Sequence, residues 1–335
     1  MSTIAIVGAT GAVGQEMLEC LDQRNVPFDE LVLLASARSA GKRIPFRGQE
    51  LVVRELTHDA FEGIDIALFS AGGGISKEFG PSAAKAGAVV IDNSSAFRMD
   101  ADVPLVVPEI NGDAAFNHPR NIIANPNCTT IVSLMALAPL HRAFGLKSVI
   151  GSSYQAVSGS GAQGIAELDT QAKAYAADEE ITPSVYPVQI FSNAIPLIGS
   201  MTETGYTDEE MKLTKEGAKI LDLAGLKASI TCVRVPVMRS HSVAITAQFD
   251  RPVSVDAARE AIDAFDGVQV IDDPANGKFP TPLDCTNRDD CLVGRIRPSL
   301  VLDNALDLWV VGDQVRKGAA LNAVQIAELL IARGN

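Results

Sequence analysis

Cys128 stands in the run Asn125-Pro126-Asn127-Cys128-Thr129-Thr130, directly after the short apolar stretch Ile122–Ala124 and at the start of a longer one that runs toward Leu137. This pattern predicts a strand followed by a helix with the cysteine at the helix mouth, where the positive end of the helix dipole favours thiolate. Asn127 is of a type that caps such a helix. A thiolate there is a nucleophile for a carbonyl carbon, and chemistry of that kind also needs an acid/base beside it. Four histidines are available: His58, His118, His141 and His241. His241 is the best placed, closing Arg234-Val-Pro-Val-Met-Arg239-Ser240-His241, which reads as strand, turn and strand with a guanidinium at one end and an imidazole at the other. Its competing reading is a core or surface filler at the start of a strand. Cys20 and Cys232 lie in apolar segments and read as packing residues.

A second constellation lies at the N-terminus. Ile4–Val7 runs into Gly8-Ala9-Thr10-Gly11-Ala12-Val13-Gly14, glycines at a strand-to-helix turn where backbone amides can approach a pyrophosphate at a helix N-terminus. The spacing is G-x-x-G-x-x-G in place of the commoner G-x-G-x-x-G, and a tight turn without ligand is the alternative. The end of the second strand separates the two nicotinamide cofactors: NAD calls for a carboxylate, NADP for positive charge. Ala35-Ser36-Ala37-Arg38-Ser39-Ala40-Gly41-Lys42 holds no acid, so Arg38 and Ser39 are candidates for a 2′-phosphate; otherwise Arg38 is a solvated loop charge.

The elements that must position these residues fall into two groups. Through the first third, β-branched runs (Thr3–Val7, Leu31–Ala35, Asp65–Phe69, Val89–Asp92, Ile122–Ala124) alternate with helical patterns at Gly14–Gln23 and Lys77–Ala86, the signature of a doubly wound parallel sheet. From about Lys147 the pattern changes to longer strands at Ser148–Tyr154, Ile230–Val237, His241–Phe249 and Gly294–Leu302. Helices are expected at Gln163–Ala176, Glu209–Leu223 and Val255–Ala264, so this half reads as a mixed sheet with helices on one side. A last helix, Gln314–Ala332, is expected to pack back on the first domain. The domains are therefore set at 1–127 with 314–335, for the cofactor, and 128–313, for catalysis.

At 335 residues, 47% hydrophobic and 21% charged, the chain has the balance of a globular protein large enough for two cores. A net charge of −13 repels nucleic acid and anionic membrane surfaces, so neither is an expected partner, and an anionic substrate must find local arginines and lysines. The N-terminus shows no export signal and no apolar stretch reaches the ~18 residues of a membrane span. With an odd set of five cysteines, this points to a reducing, cytoplasmic setting without disulfides. Cys285 and Cys291 do not make a zinc site, since two thiols without further ligands leave a tetrahedron incomplete; no metal is expected.

Six motifs in order, Gly8–Gly14, Ser94–Arg98, Asn125–Thr129, Tyr154-Gln155-Ala-Val-Ser158-Gly159, Glu209–Lys212 and Arg234…His241, closely resemble aspartate-semialdehyde dehydrogenases along the whole chain. The resemblance implies a glyceraldehyde-phosphate-dehydrogenase-like architecture: a Rossmann-like domain, then an α+β domain that carries catalysis and dimerisation, as a homodimer or homotetramer. It implies an NADP-dependent interconversion of β-aspartyl phosphate and aspartate β-semialdehyde, on the route to lysine, methionine and threonine. Carried over residue by residue, Cys128 forms the acyl-thioester, His241 is the acid/base and Gln155 orients the substrate. Arg234, with Glu209, binds the substrate carboxylate, and Arg98 and Lys212 bind phosphate. The cofactor contacts implied are Gly8, Thr10, Gly11, Ala12, Val13, Arg38, Ser39, Ser158 and Gly159. Gln314 is a departure, standing where the family commonly has asparagine before the nicotinamide. Taken alone, Lys212 in an acid-rich helix reads as a surface charge.

Rival readings are an N-acetyl-γ-glutamyl-phosphate reductase, whose bulkier acylated substrate suits Glu209 and Arg234 less well, and a catalytically silent nucleotide-binding paralogue, against which Cys128, Gln155, Arg234 and His241 together speak. Glyceraldehyde-3-phosphate dehydrogenase itself differs in its cofactor loop and nucleophile motif.

Overall fold

Residues that are apolar without alternation fold as strands covered on both faces, and the N-terminal third of the chain does this. In a computed structural model, which describes residues 2–334, the chain forms two units, one holding the residues up to Asn127 together with those from Ala319 on, the other Cys128–Gly318.

The first unit runs β1 (Thr3–Val7), α1 (Ala12–Gln23), β2 (Glu30–Ala35), a hairpin of β3 (Arg43–Phe46) and β4 (Gln49–Val52), β5 (Arg54–Glu55), β6 (Ile66–Phe69), α2 (Gly73–Lys85), β7 (Val89–Asp92), α3 (Pro108–Asn111) and β8 (Ile122–Ala124). Its main sheet has the order β5-β2-β1-β6-β7-β8, every pair parallel. Ile4–Val7 and Ile66–Phe69 are buried throughout, the continuous burial expected of a doubly wound sheet. The chain leaves β1 toward β2 on one side and returns to β6 on the other. The C-terminal end of β1 therefore opens at the point where strand order reverses, the usual ligand crevice of such sheets. The C-terminal helix, Leu321–Gly334, adds Leu321, Val324, Ile326 and Ala327 to the core built by Ile4, Ile6, Met17 and Leu21.

The second unit runs α4 (Cys128–Phe144), β9 (Leu146–Gln155), α5 (Gly161–Ala176), α6 (Glu210–Ile220), β10 (Lys227–Arg234), β11 (His241–Phe249), α7 (Val255–Asp263), β12 (Val268–Val270), α8 (Pro282–Cys285), β13 (Cys291–Pro298) and β14 (Ala305–Gly312). Its sheet has the order β10-β9-β11-β14-β13-β12. The β9–β10 and β12–β13 pairs are parallel and the others antiparallel. Helices α4, α6 and α7 pack together and against these strands. Every residue of α4 from Thr129 to Leu140 is buried, so this helix is a core element that meets solvent only at its two ends, the first of which begins at Cys128.

Two expectations are corrected. The fourth long strand stops at Pro298, and Leu300 and Val301, which read as its continuation, sit 98% and 87% exposed in the turn before β14. Apolar, β-branched composition there marked a turn, and β14, an inner strand of the sheet, went unanticipated. The last helix begins at Leu321, seven residues later than expected, after a π-helical turn at Arg316–Ala320, and residues 314–318 belong to the second unit. Asp313, fully buried, accepts the backbone N–H groups of Val315 and Arg316 at 3.1 Å in the manner of a helix N-cap, so coiling does start where the sequence placed it, but as a wide π-helical turn that becomes regular α-helix only at Leu321. Those amides are thereby held by a side chain of the strand end. Among the described residues no helix is long and apolar enough to cross a membrane.

Candidate active site

Three strands of the second unit bring their chemistry to one edge of the sheet. Gln155 and Arg234 are the last residues of β9 and β10 and pair in register; His241 is the first residue of β11, which runs antiparallel to β9. Strand direction alone thus gathers an amide, a guanidinium and an imidazole, which are 2%, 6% and 0% exposed. The opposite partner of His241 is Gly312 at the end of β14. A side chain at residue 312 would press within 3.0 Å of Val132 Cγ1, so the missing Cβ lets the first turns of α4 settle over the start of β11. A Cβ at residue 318 would lie 2.9 Å from that of Cys128, so Gly318 allows the 314–318 segment to pass beside the nucleophile.

Cys128 opens α4 and is half-buried, while Cys20, Cys232, Cys285 and Cys291 are buried. Burial pushes the Cys232 and Cys285 thiols up to about 12, the behaviour of inert core cysteines. Cys285 Sγ points to the carbonyl of Val311, at 3.4 Å, and among the described residues no group of three His, Cys, Asp or Glu side chains is arranged to hold a metal.

Arg234 donates from Nη1 to the carbonyl of Ala156 at 2.7 Å, and the N–H of Ala156 donates to Nδ1 of His241 at 3.0 Å. One peptide residue therefore ties both side chains down. Nε of Arg234 and Nε2 of His241 are buried without a hydrogen bond. Burial, and secondly the neighbouring Arg234 charge, hold the His241 ring well below the usual imidazole range, so it is neutral at physiological pH. Gly159 lies against both groups: a Cβ there would stand 2.8 Å from Arg234 Nη1 and 3.2 Å from His241 Cε1. The Arg234 guanidinium also lies 5.9 Å from the ring centroid of Tyr186, whose hydroxyl donates to Ser160 Oγ at 3.1 Å. Gln155 donates to Glu209 Oε1 at 3.2 Å, and Lys212 Nζ reaches Glu209 Oε2 at 2.6 Å. The three residues expected to meet substrate from β9 and α6 thus form one chain, and Lys212, read as a surface charge when taken singly, is 24% exposed on its side chain.

Sequence reasoning missed the brace that holds this edge. Ser240, buried with φ +75°, takes a left-handed conformation that a non-glycine residue adopts only when held. Its N–H donates to Gln314 Oε1 at 2.8 Å and its hydroxyl meets Thr286 Oγ1 at 3.0 Å. Gln314 Nε2 in turn donates to Ser158 Oγ, so both ends of that amide are engaged within the unit. Asp313, bound by Arg239 at 2.6 Å, anchors the same segment. No one-dimensional spacing links residues 158, 240 and 314; the only signal was an acid–amide pair placed directly after a strand-ending glycine.

In the first unit, the turn after β1 is built for close approach. Gly8 has φ +88°, and a Cβ on Gly14 would come 2.8 Å from Ala9 Cα, so α1 begins hard against the strand. Thr10 Oγ1 lies 3.4 Å from Ser39 Oγ, which joins this turn to the loop after β2, where Arg38 is exposed. Arg98 is 7% exposed and donates to the carbonyls of Asn125 and Asn93 at 2.9 and 2.8 Å. Its guanidinium is thereby fixed at the C-terminal ends of β7 and β8.

Comparison with known proteins gives full-length matches. The semialdehyde dehydrogenase NAD binding domain matches residues 3–118, and the semialdehyde dehydrogenase dimerisation domain residues 137–317. An aspartate-semialdehyde dehydrogenase of Aquifex aeolicus is 51% identical over 99% of this chain and 98% of its own. Among solved structures, aspartate semialdehyde dehydrogenase II of Vibrio cholerae complexed with ASA superposes with a TM-score of 0.97 at 44% identity, covering 99% of this chain and 98% of that one. The enzyme of Candida albicans with NADP does so at 0.78 and 26% identity, covering 100% and 99%.

Proposed function

This chain belongs to the aspartate-semialdehyde dehydrogenase family, and from that premise we propose that it reduces β-aspartyl phosphate to aspartate β-semialdehyde with NADPH, releasing phosphate, through an acyl-thioester on Cys128. The observation that carries the reading is the sheet edge where Gln155, Arg234 and His241 converge under the mouth of α4, which begins at the nucleophile.

Cys128 attacks the acyl carbon, and the C–S bond forms as the bond to phosphate breaks. Gln155, held by Glu209, orients the carbonyl, and His241 meets the hydrogen-bonding demand of its oxygen. Arg234 takes the substrate carboxylate: with one Nη committed to Ala156, its remaining donors are free of the backbone and form a planar fork. Lys212 and Arg98 take the phosphate, supplying positive charge in a protein of net charge −13. NADPH, when bound, supplies the hydride. The Gly8 turn fits its phosphates, since its glycines let α1 start directly against β1 at the switch point of the sheet, and Gly8, Thr10, Gly11, Ala12 and Val13 would hold them, with Arg38 and Ser39 at the 2′-phosphate. Ser158 and Gly159 complete the contacts; we assign Gln314 to bracing Ser158 and Ser240. The N-acetylated alternative is not favoured by the named relatives. A steady-state assay of aspartate semialdehyde with NADP and phosphate, run beside the N-acetyl-γ-glutamyl analogue, tests the reading; turnover of the acylated aldehyde alone would refute it.

The sheet face opposite the helices supports pairing of two copies. It exposes Ile150 at 54% and Tyr154 at 38%, the latter ring 5.3 Å from that of Trp309, beside Phe279 at 45%. An apolar patch of this kind on a sheet marks an association surface, and a homodimer is the state we assign. Ile150→Asp should shift the sedimentation coefficient from dimer to monomer, and an unchanged value would argue that another face is used.

A further inference from the structure

Arg234 is a buried cation whose guanidinium donates within the protein to a neutral carbonyl, that of Ala156, while Nε makes no hydrogen bond. Set against it is the ring of Tyr186, with its centroid 5.9 Å from Cζ. A carboxylate in that place would neutralise the arginine and compete with a substrate anion, whereas a π face supports the cation and leaves its N–H donors uncommitted. The ring itself is held from three directions. Its hydroxyl lies 3.1 Å from Ser160 Oγ and 3.3 Å from the Val157 carbonyl, in a space that exists because residue 164 is glycine: a Cβ there would stand 2.7 Å from that oxygen. Before it in the chain, the Ser184 hydroxyl at 3.0 Å and the N–H of Val185 donate to Glu167 Oε2; after it, the N–H groups of Ile190 and Phe191 donate to Gln171 Oε1, both at 3.0 Å. Glu167 and Gln171 are buried one turn apart on α5 and joined to each other at 2.8 Å. Further on, Ile195 exchanges both of its backbone hydrogen bonds with Arg234, at 2.9 and 2.8 Å. Ring and guanidinium therefore belong to one frame within the second unit.

We propose that Tyr186 is a positioning residue for the substrate carboxylate: its ring backs the Arg234 guanidinium and keeps the fork in an orientation that leaves the donors not used by Ala156 for substrate. The inference rests on the reading of Arg234 as the carboxylate binder. Two effects act together. A desolvated guanidinium gains from a π face without giving up a donor, and a side chain already held in its binding orientation loses less freedom when the anion arrives. The working part is the ring and not the hydroxyl, because the anchors at Glu167 and Gln171 hold the chain on both sides of residue 186 without it. Tyr186 thus acts through Arg234, and its effect belongs to the binding of the carboxylate and not to chemistry at Cys128.

The test is steady-state kinetics of the whole enzyme with aspartate semialdehyde varied at saturating NADP and phosphate. Tyr186→Leu is expected to raise KM for the aldehyde about tenfold while kcat stays within about threefold and KM for phosphate is unchanged. Tyr186→Phe, which keeps the ring, should remain within about threefold of the parent KM. If the leucine variant does not fold, Tyr186→Met replaces it, being likewise apolar and without a ring. An unchanged KM in the ringless variant would overturn the proposal, and so would equal losses in the phenylalanine and leucine variants. A double-mutant cycle adds a readout that a merely structural role would not satisfy: in an Arg234→Met background, where no cation remains for the ring to support, Tyr186→Leu should change kcat/KM by less than about twofold. The full tenfold loss there would show that Tyr186 does not act through Arg234. An unchanged kcat/KM in Arg234→Met alone would refute the carboxylate reading and the proposal with it, a result distinct from failure of the ring alone.

Discussion

Replacing Cys128 by serine is expected to lower kcat by at least about ten-thousand-fold while leaving the fold intact, because the variant retains the position of the nucleophile but not its acidity. The helix mouth contributes at most about 2 kcal/mol to an anion, which helps ionise a thiol and falls far short of ionising a hydroxyl. Serine is no larger than cysteine, and the neighbouring constraint is steric: residue 318 tolerates no Cβ beside residue 128. Circular dichroism should therefore match the parent protein. Binding of NADP to the Gly8 turn of the first unit should also be unchanged in a fluorescence titration. Loss of turnover together with loss of cofactor binding would mean that the serine had disturbed the structure, and retention of a tenth of the parent rate would remove Cys128 from the nucleophile's role.

The second large effect is expected at Arg234. Substitution by lysine should raise KM for aspartate semialdehyde by about 30- to 100-fold, the equivalent of roughly 2–3 kcal/mol for a charge-assisted bidentate contact, with a smaller fall in kcat. In the parent protein Nη1 is committed to the Ala156 carbonyl at 2.7 Å while Nε makes no bond within the protein, so the fork can face substrate and remain anchored. A single ammonium cannot do both. Because lysine preserves the charge near His241, a loss in KM isolates the geometry of the fork from the electrostatics of the site. Unchanged KM would show that the carboxylate is bound elsewhere. If instead the loss appeared wholly in kcat, Arg234 would be acting on the ring of His241 and not on substrate.

Much of this architecture was legible because its signals are local. Continuous apolar runs separated by helical periods specified the parallel sheet, and five of its six strands fall within a residue of where their composition put them. The glycine turn, the absence of an acid at 35–42 and the cysteine after Ile122–Ala124 are readable from residue type and immediate neighbours. Errors arose where a distant group overrode local composition. Leu300 and Val301 are of strand-forming type yet lie in an exposed turn, since the chain must reverse to place β14 between β11 and β13. Residues 314–318 have helical composition and Asp313 caps their amides, yet the first turn is π-helical, and the regular helix is reached only at Leu321.

The sequence by itself determined the inventory: a thiol at a helix mouth, one imidazole at the head of a strand, guanidinium groups for anions, and glycines where backbone must approach phosphate. Which atoms of those groups are available was decided only in three dimensions. The setting of the His241 ring depends on an amide 85 residues away, and the strained backbone before it on an amide side chain 74 residues away. Hydrogen-bond partners across a sheet are set by strand direction and register, and these follow from how whole faces are buried, not from any neighbouring residue.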